Sequence, residues 1–232
     1  MLNPSLGMTY TITEDTVVRA TVARGFARPA GAAVTGWTGR VPFPGNPDLE
    51  PNIAWSYQAG IESGEFEKLY LKADLFYHRL DKSFIINPDT LIFTNGGVTK
   101  KKGFELNATA GPFNNLTTSL GLTYVRLDEL EDKSDDFYIF NAKLRYKDLR
   151  IGTITLFGQY LWFGTLQSTQ RREPRYDDML WDLHYKKDIY TTEKTKTNFF
   201  ISVRNLFNGA NYSNNIFLNP ERWVEVGLRI SF

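Results

Sequence analysis

Apolar and polar residues alternate with a period of two along nearly the whole chain, and no other feature of the sequence constrains the fold as strongly. Successive side chains of a β-strand point to opposite faces, so this period predicts strands with one apolar and one polar face. Helical periodicity is nearly absent. In the last segment the alternate positions hold Val224, Val226, Leu228, Ile230 and Phe232 on one side. We therefore predict an all-β chain.

The alternating blocks predict eleven strands separated by turn-like clusters. Most of these strands run to ten residues or more, which is long enough to cross a bilayer at a tilt. Strands of soluble proteins average about five to six residues. The predicted bounds are Leu6–Ile12, Thr16–Gly25, Ile53–Glu62, Lys68–Arg79, Lys101–Ala110, Asn115–Leu127, Asp136–Tyr146, Leu149–Phe163, Tyr176–Lys187, Thr197–Phe207 and Arg222–Phe232.

Short and long connections between these strands also alternate. Short turns follow the first, third, fifth and seventh strands, and long loops follow the even-numbered ones. The turn 188–196 follows the ninth strand and is longer than the turns after the other odd-numbered strands, but it is still polar. Hairpin connections need no crossover helix, so we predict an antiparallel up-and-down sheet. Short turns on one rim and long loops on the other are typical of an outer-membrane β-barrel.

Aromatic residues separate a membrane barrel from the main alternative, a soluble lectin-like or adhesin-like sandwich. They make up 15% of the chain, and on the apolar face they concentrate near the strand ends while aliphatic residues and alanine dominate the middle. Two bilayer interfaces select such girdles of Trp and Tyr. The predicted girdle residues are Trp55, Tyr57, Tyr77, Tyr124, Tyr138, Trp162 and Trp181 at the loop end, and Tyr10, Tyr146, Tyr185 and Phe232 at the turn end.

Composition excludes several classes of site and partner. The net charge of +1 lacks the basic excess of a nucleic-acid-binding protein. The chain has no cysteine and only two histidines, His78 and His184, which excludes disulfides, thiol catalysis, iron–sulfur clusters and multi-histidine metal sites. No segment approaches 18 consecutive apolar residues, and the N-terminus lacks a signal-peptide pattern. The sequence therefore predicts no metal and no other cofactor.

An odd number of strands bears on the domain organisation. Single-chain bacterial barrels have even strand numbers, and eleven is half of the 22 strands of the plugged outer-membrane transporters. Either the pattern misses one strand, or residues 1–232 form a partial barrel domain, the C-terminal half of a larger barrel without its N-terminal strands. Its apolar face would contact outer-membrane lipid and lipopolysaccharide.

Four stretches of the sequence resemble, in order, motifs of the TonB-dependent receptors, in the C-terminal half of their barrel. They are an R-G-F-x-x-P stretch, an N-P-x-L-x-P stretch, a G-x-E stretch and a closing N-L-F-N stretch. In the segment that follows the second stretch, Asn52 and Gln58 replace the acidic residues that the family usually carries there. The matching positions are Arg24, Gly25, Phe26, Pro29, Asn46, Pro47, Leu49, Pro51, Gly103, Glu105, Asn205, Leu206, Phe207 and Asn208.

This resemblance implies uptake of a scarce nutrient, usually a ferric siderophore, across the outer membrane of a Gram-negative bacterium. It implies energy supplied by the TonB complex through a plug that this chain does not contain. It also implies that the terminal Phe232 is the signal read by the barrel assembly machinery. From the residues themselves, a structural role for the proline- and asparagine-containing motifs is the better interpretation.

Ligand contacts are expected in the long loops. The candidates are aromatic residues and arginines, and arginine can bind carboxylate or phosphate with two parallel hydrogen bonds. A solvated loop without a ligand is an equal alternative for these positions. The candidate residues are Trp37, Arg40, Phe43, Arg171, Arg172 and Arg175.

Two further functions remain as alternatives. One is a small passive outer-membrane pore or an adhesin-like barrel. The other is a barrel hydrolase, for which Asp182 lies two residues from His184, and Asp74 lies near His78. Catalysis requires a nucleophile and an orienting partner within hydrogen-bond reach, and the sequence contains no nucleophile motif. We therefore predict that the chain is not an enzyme and has no catalytic residue.

Overall fold

A computed structural model describes residues 2–38, 44–87, 89–128, 134–163, 177–192, 195–211 and 219–232. These residues form thirteen β-strands and one short helix, α1 (Gly31–Thr35). The strands are β1 (Ser5–Thr13), β2 (Thr16–Ala27), β3 (Asn52–Phe66), β4 (Leu69–Asp81), β5 (Phe84–Ile86), β6 (Phe93–Asn95), β7 (Val98–Phe113), β8 (Leu116–Asp128), β9 (Ser134–Asp148), β10 (Gly152–Phe163), β11 (Leu180–Thr191), β12 (Lys196–Arg204) and β13 (Trp223–Ser231).

Eleven of these strands form one sheet in the order β1-β2-β3-β4-β7-β8-β9-β10-β11-β12-β13. Each strand therefore pairs with its neighbours along the chain, apart from the insertion between β4 and β7. This insertion is a separate two-stranded sheet of β5 and β6, which lies inside the loop predicted for residues 80–100. The predicted antiparallel up-and-down sheet of eleven strands is confirmed.

Most strand ends differ from the predicted bounds by one to four residues, and three of these differences coincide with a local feature of the chain. The strand β10 begins at Gly152 because the Asp148 carboxylate accepts hydrogen bonds from the backbone N–H groups of Arg150 (2.7 Å) and Ile151 (2.9 Å) and closes a turn. The strand β12 ends at Arg204 because the next residue, Asn205, has a left-handed φ of 50°. The strand β11 begins at Leu180, three residues after Asp177, which forms an isolated β-bridge instead.

The sheet buries few of its apolar side chains, and many of them are exposed. In the part of the chain that the structure describes, only Ala33, Leu49 and Val125 are fully buried hydrophobic residues. By contrast, Leu6 is 72% exposed and Val226 is 61% exposed. A soluble sandwich buries its apolar face against a second sheet, so this exposure does not fit a sandwich.

The chain divides into two compact units, each built from several segments. The first unit consists of Met1–Ile61, Asp74–Phe104 and Val125–Asp135. It contains β1, β2, α1 and the β5–β6 hairpin. The second unit consists of Glu62–Ala73, Glu105–Tyr124 and Asp136–Phe232. It contains β10 to β13 and nearly all of β9. None of the described residues forms a helix with the length and apolarity needed to span a bilayer.

Candidate functional site

The register of β9 to β13 in the second unit sorts the side chains into two faces. Residues directly opposite each other on neighbouring strands share a face. One row across all five strands is apolar and consists of Tyr146, Ile154, Tyr185, Ile201 and Val226. The adjacent row on the other face is polar and consists of Arg145, Thr155, His184, Ser202 and Glu225. The structure thus places the predicted apolar and polar sides of these strands on opposite faces of the sheet.

Aromatic side chains meet near the loop end of the apolar face in the second unit. The Tyr138 ring lies 4.9 Å from Tyr124 and 5.4 Å from Trp162, measured between ring centroids. The Tyr124 hydroxyl donates a hydrogen bond of 3.0 Å to the Asp136 carboxylate. An apolar ring with a polar end suits the boundary between lipid and water, so this cluster has the composition of a girdle.

Related contacts occur in the first unit and at the turn end of the second. The Tyr57 ring lies 6.2 Å from Trp55, in a stacked arrangement, and 6.0 Å from Tyr77. At the turn end, the Tyr185 hydroxyl donates a hydrogen bond of 2.8 Å to the backbone carbonyl of Ile151. Each of these tyrosines combines an apolar ring with a polar hydroxyl, as expected of an interfacial residue.

The N-P-x-L-x-P motif is bound to the β5–β6 hairpin by two asparagine side chains. Asn46 donates from Nδ2 to the backbone carbonyl of Phe93 (2.8 Å). Asn95 donates to the carbonyls of Glu50 (2.8 Å) and Lys82 (3.0 Å), and it accepts a hydrogen bond from the Glu50 backbone N–H (2.7 Å). Lys82 and Glu50 also form an ion pair. These contacts position the long loop over the hairpin, so the motif holds a loop in place here.

The other N-terminal motif residues lie in or next to strands. Arg24 lies on β2. Its Nη1 donates to the backbone carbonyl of Leu2 (2.6 Å), and its backbone N–H donates to the backbone carbonyl of Pro4 (2.9 Å). Gly103 and Glu105 lie in β7. The structure therefore places the first motif at the end of β2, next to the residues that precede β1, and the third motif within β7.

The closing N-L-F-N motif connects the end of β12 to the start of β13. Asn205 and Asn208 have left-handed φ angles of 50° and 53°, a conformation that asparagine tolerates better than most residues. The Asn205 side chain donates to the carbonyls of Gly209 (2.8 Å) and Pro220 (3.1 Å). The Asn208 side chain accepts a hydrogen bond from the Arg222 backbone N–H (2.9 Å). The two asparagines thus bond the backbone where the strand ladder stops.

Asn211 is a structural residue that the sequence did not reveal. It is fully buried, and its side chain donates to the backbone carbonyl of Asp178 (2.8 Å). Its backbone N–H donates to the Asn219 side chain (2.7 Å). The high frequency of asparagine after β12 indicates a loop held by side-chain hydrogen bonds, because asparagine side chains readily replace backbone partners in loops.

The predicted ligand-binding residues are not brought together in the described part of the chain. Trp37 follows α1 and is 53% exposed. The other five candidates, Arg40, Phe43, Arg171, Arg172 and Arg175, lie outside the described residues. Their contact with a ligand stays a prediction.

Phe232 lies one residue beyond the end of β13 and is 99% exposed. Its position continues the apolar row of alternate residues on that strand, which includes Leu228 and Ile230. The ring is therefore available to another molecule at the turn end of the sheet. Its role as an assembly signal stays a prediction.

The sequence did not predict a groove that lies on the polar face of β9 to β12. Its volume is about 740 Å³. The alternation of residues predicts a polar face on each of these strands, but it does not give the register that aligns them. The charged side chains in its lining are Lys143, Arg145, Lys147, Asp148, Asp182, Lys186, Lys187, Asp188, Lys196 and Arg204.

Within the described segments, the candidate catalytic histidines do not form a catalytic triad. His184 Nδ1 lies 2.8 Å from Ser202 Oγ, but Ser202 is only 4% exposed. Asp182 accepts a hydrogen bond from Arg204 Nη1 (2.7 Å) instead of orienting the imidazole. The His78 ring packs at 5.5 Å from Phe76. A buried hydroxyl next to an imidazole without an orienting carboxylate lacks the arrangement that nucleophilic catalysis needs.

No group of three or more His, Asp or Glu side chains is arranged to hold a metal ion in the segments that the structure describes. Several carboxylates form ion pairs with lysine or arginine. Examples are Asp188 with Lys196 (2.8 Å) and Asp128 with Lys102 (3.3 Å).

Comparison with solved structures identifies similar folds. The siderophore receptor PirA from Pseudomonas aeruginosa superposes with a TM-score of 0.73 at 19% identity, over 99% of this chain and 39% of that chain. The FrpB iron transporter from Neisseria meningitidis superposes with a TM-score of 0.71 at 15% identity, over 99% of this chain and 39% of that chain. The ferric-catecholate import receptor Fiu from E. coli K12 superposes with a TM-score of 0.65 at 15% identity, over 100% of this chain and 35% of that chain. The chain thus spans less than half the length of these structures.

Comparison by sequence gives the family. No curated protein matches the chain. The sequence model of the family described as TonB dependent receptor-like, beta-barrel matches residues 1–206. This match includes the first three resembling motifs and part of the fourth, and it agrees with the strand order and the two faces described above. The chain belongs to the TonB-dependent receptor β-barrel family.

Proposed function

We propose that this chain is the C-terminal barrel portion of an outer-membrane receptor for TonB-dependent uptake of a scarce nutrient, most specifically a ferric siderophore. The observation that carries this proposal is the family match over residues 1–206, together with folds similar to a siderophore receptor and to iron transporters. The proposed location is the outer membrane of a Gram-negative bacterium.

The strand order supports a partial barrel. Neighbouring strands of the eleven-stranded sheet run antiparallel, so β1 and β13, at the two ends of the order, run in the same direction. Closing the sheet on itself would then require a parallel pair. Bacterial single-chain barrels close with antiparallel pairs and even strand numbers, and an open edge is costly in lipid. The proposed parent protein supplies strands to both edges.

The proposed partners follow from this assignment. The apolar face contacts outer-membrane lipid and lipopolysaccharide, and the barrel assembly machinery reads Phe232. The TonB complex acts through the plug of the parent protein. Ferric siderophore binds the long loops, where the proposed contacts are Trp37, Arg40, Phe43, Arg171, Arg172 and Arg175.

The genomic DNA upstream of the Met1 codon provides the first test. We expect a contiguous reading frame that encodes a signal peptide, a plug and eleven more strands. A terminated upstream frame would contradict the proposal and favour a self-closing small barrel.

Uptake of ⁵⁵Fe-siderophore by iron-starved cells tests the activity itself. Deleting the gene is expected to abolish uptake of at least one ferric siderophore, and deleting the TonB energy supply is expected to have the same effect. Uptake that persists without TonB would contradict the proposal. An ungated conductance of the purified protein in planar bilayers would then indicate a passive pore.

A further inference from the structure

Two arginines lie at the loop end of the apolar face in the first compact unit. Alternate residues of a strand share one face, so Arg24 lies on the same side of β2 as Val22, whose partner across β1 is the exposed Leu6. On β4, Arg79 lies two residues beyond the predicted girdle residue Tyr77, toward the loop. Two residues of a strand span about 7 Å. Beyond the girdle, the apolar face of these two strands therefore becomes basic.

The strand β7, which pairs with β4, adds two lysines to this face. Lys101 lies with its Nζ atom 5.8 Å from the centroid of the Phe76 ring. Phe76 is next to Tyr77 in β4, so it points to the opposite side of the sheet. Lys101 is therefore on the polar face, and its two neighbours are on the apolar face. Both neighbours, Lys100 and Lys102, are exposed.

The strand β8, which pairs with β7, adds a third arginine. Arg126 lies two residues before the end of β8, and its Nε donates to the Asp128 carboxylate (2.8 Å). The same carboxylate pairs with Lys102 (3.3 Å), so Arg126 and Lys102 share a face. We name these cations of the first unit the basic rim: Arg24, Arg79, Lys100, Lys102 and Arg126.

The basic rim has more cations than carboxylates. Asp81 accepts a hydrogen bond from Arg79 Nε (2.9 Å), and Asp128 is shared by Lys102 and Arg126. In the described strand ends of this face, five cations thus stand against two aspartates. Clusters of basic residues beside a membrane attract anionic lipid headgroups. The excess positive charge of the rim therefore favours an anionic lipid.

An apolar groove in the same unit begins next to the basic rim. Its floor includes two small side chains, Ala20 of β2 and Ala59 of β3. Its lining on β4 reaches to two residues from Arg79. A hydrocarbon chain in such a groove makes van der Waals contact on several sides. The side chains that border the groove are larger and stand on β1, β3 and β4: Leu6, Met8, Tyr57, Leu75 and Tyr77.

We propose that the basic rim and this groove bind the lipid A part of a lipopolysaccharide molecule. Lipid A carries two phosphate groups and several acyl chains on one headgroup. Arg24 and Arg79 each bind a phosphate with parallel hydrogen bonds, and Lys100 adds a further positive charge. One acyl chain lies over Ala20 and Ala59. This inference rests on the proposed function, in which the long loops face the cell exterior and lipopolysaccharide forms the outer leaflet.

The width of the basic rim favours lipid A over a phospholipid. Four strand spacings separate β2 from β8 in the order β2-β3-β4-β7-β8, or about 19 Å. A phospholipid such as phosphatidylglycerol presents a single phosphate, whereas lipid A presents two at opposite ends of a disaccharide. A band of cations across these strands therefore matches two separated phosphates.

The test uses the receptor as its cell makes it, purified from outer membranes and washed with detergent to remove bound lipid. Lipid A with both phosphates is titrated, and native mass spectrometry counts the lipids bound to each protein molecule. We expect one lipid A to bind more tightly than phosphatidylglycerol does. Monophosphoryl lipid A is expected to bind several-fold more weakly than the form with two phosphates.

Substitutions locate the site. The variant Arg79→Gln is expected to lose about tenfold in affinity for lipid A, since it removes charge-assisted hydrogen bonds. Lys100→Gln is expected to lose several-fold, and its matched control is Lys101→Gln, the adjacent lysine on the polar face. Ala59→Phe fills the groove without changing the charge and should also weaken binding. Heat-modifiable migration in gels verifies that each variant is folded.

Three outcomes would overturn the inference. They are absence of lipid A binding, equal losses in Lys100→Gln and Lys101→Gln, which indicate diffuse charge attraction, and equal affinities for lipid A and phosphatidylglycerol. Siderophore uptake is measured separately. A receptor that binds lipid A but takes up no ferric siderophore counts against the proposed function alone. A receptor that takes up a siderophore without binding lipid A counts against this inference alone.

Discussion

At the scale of single residues, asparagine side chains replace backbone partners where the ladder of the sheet is interrupted. Asn95 both donates to and accepts from the backbone of Glu50, 45 positions away in sequence. The Asn205 side chain donates to two backbone carbonyls at the end of β12. An amide has the same donor and acceptor groups as a peptide unit, so it can extend a hydrogen-bond pattern beyond the strand.

The Asn95 contacts predict a local loss of stability when this side chain is truncated. The variant Asn95→Ala removes three hydrogen bonds, and a net contribution of about 1 kcal/mol for each, reduced by solvent exposure, gives about 1–2 kcal/mol for local opening. Hydrogen exchange of the Glu50 amide should therefore become about tenfold faster. The control is Thr94→Ala on the same short strand, β6. Equal exchange rates in the two variants would contradict this account of the motif.

At the scale of elements, each long strand is divided between an apolar and a polar face, and the strand ends carry the special residues. The strand β13 shows this most simply, because Val224, Val226, Leu228 and Ile230 are all more than half exposed. Phe232 then extends the same row beyond the last pair, Lys196 with Ser231. A side chain that is 99% exposed contributes little to the stability of the sheet.

Deletion of Phe232 is therefore predicted to affect assembly and not stability. The amount of receptor in the outer membrane should fall several-fold, while the protein that does insert unfolds at the same temperature. Fractionation and heat-modifiable gel migration measure both quantities. The matched control is Leu149→Ala, which truncates an apolar side chain that is 97% exposed in the turn between β9 and β10. Equal outer-membrane levels for the deletion and the control would contradict an assembly role.

At the scale of the whole molecule, the sheet has two open edges. The strands β1 and β13 stand at the ends of the strand order, and every residue of β1 is exposed. Unpaired backbone groups at an edge are a template for another strand. The edges are the least stable part of the sheet unless a further strand pairs with them.

This arrangement predicts a gradient of amide protection. In the 232-residue chain in detergent, the amides of β1 and β13 should exchange faster than those of β10 and β11, which pair on both sides. In the proposed parent receptor, the same β1 and β13 amides should become protected. Hydrogen-exchange mass spectrometry measures both samples. Uniform protection in the 232-residue chain would mean that the two edges are already paired, and would count against the partial barrel.

The alternation of residues such as Val224 and Glu225 was enough to predict the eleven main strands, their two faces and the antiparallel order, because side-chain direction in a strand is a local property. Turn and loop lengths are equally local. The β5–β6 hairpin was missed because three-residue strands are too short to show a period.

The groove shows what the sequence did not determine. Lys143, Arg145 and Lys147 were visible as alternate residues, but their position opposite Lys186 depends on the register of β9, β10 and β11. Register is set by hydrogen bonds and packing between residues far apart in the chain, and a shift of one position would exchange the two faces. The sequence by itself thus determined strands and faces, whereas the tertiary structure decided which charges meet across them.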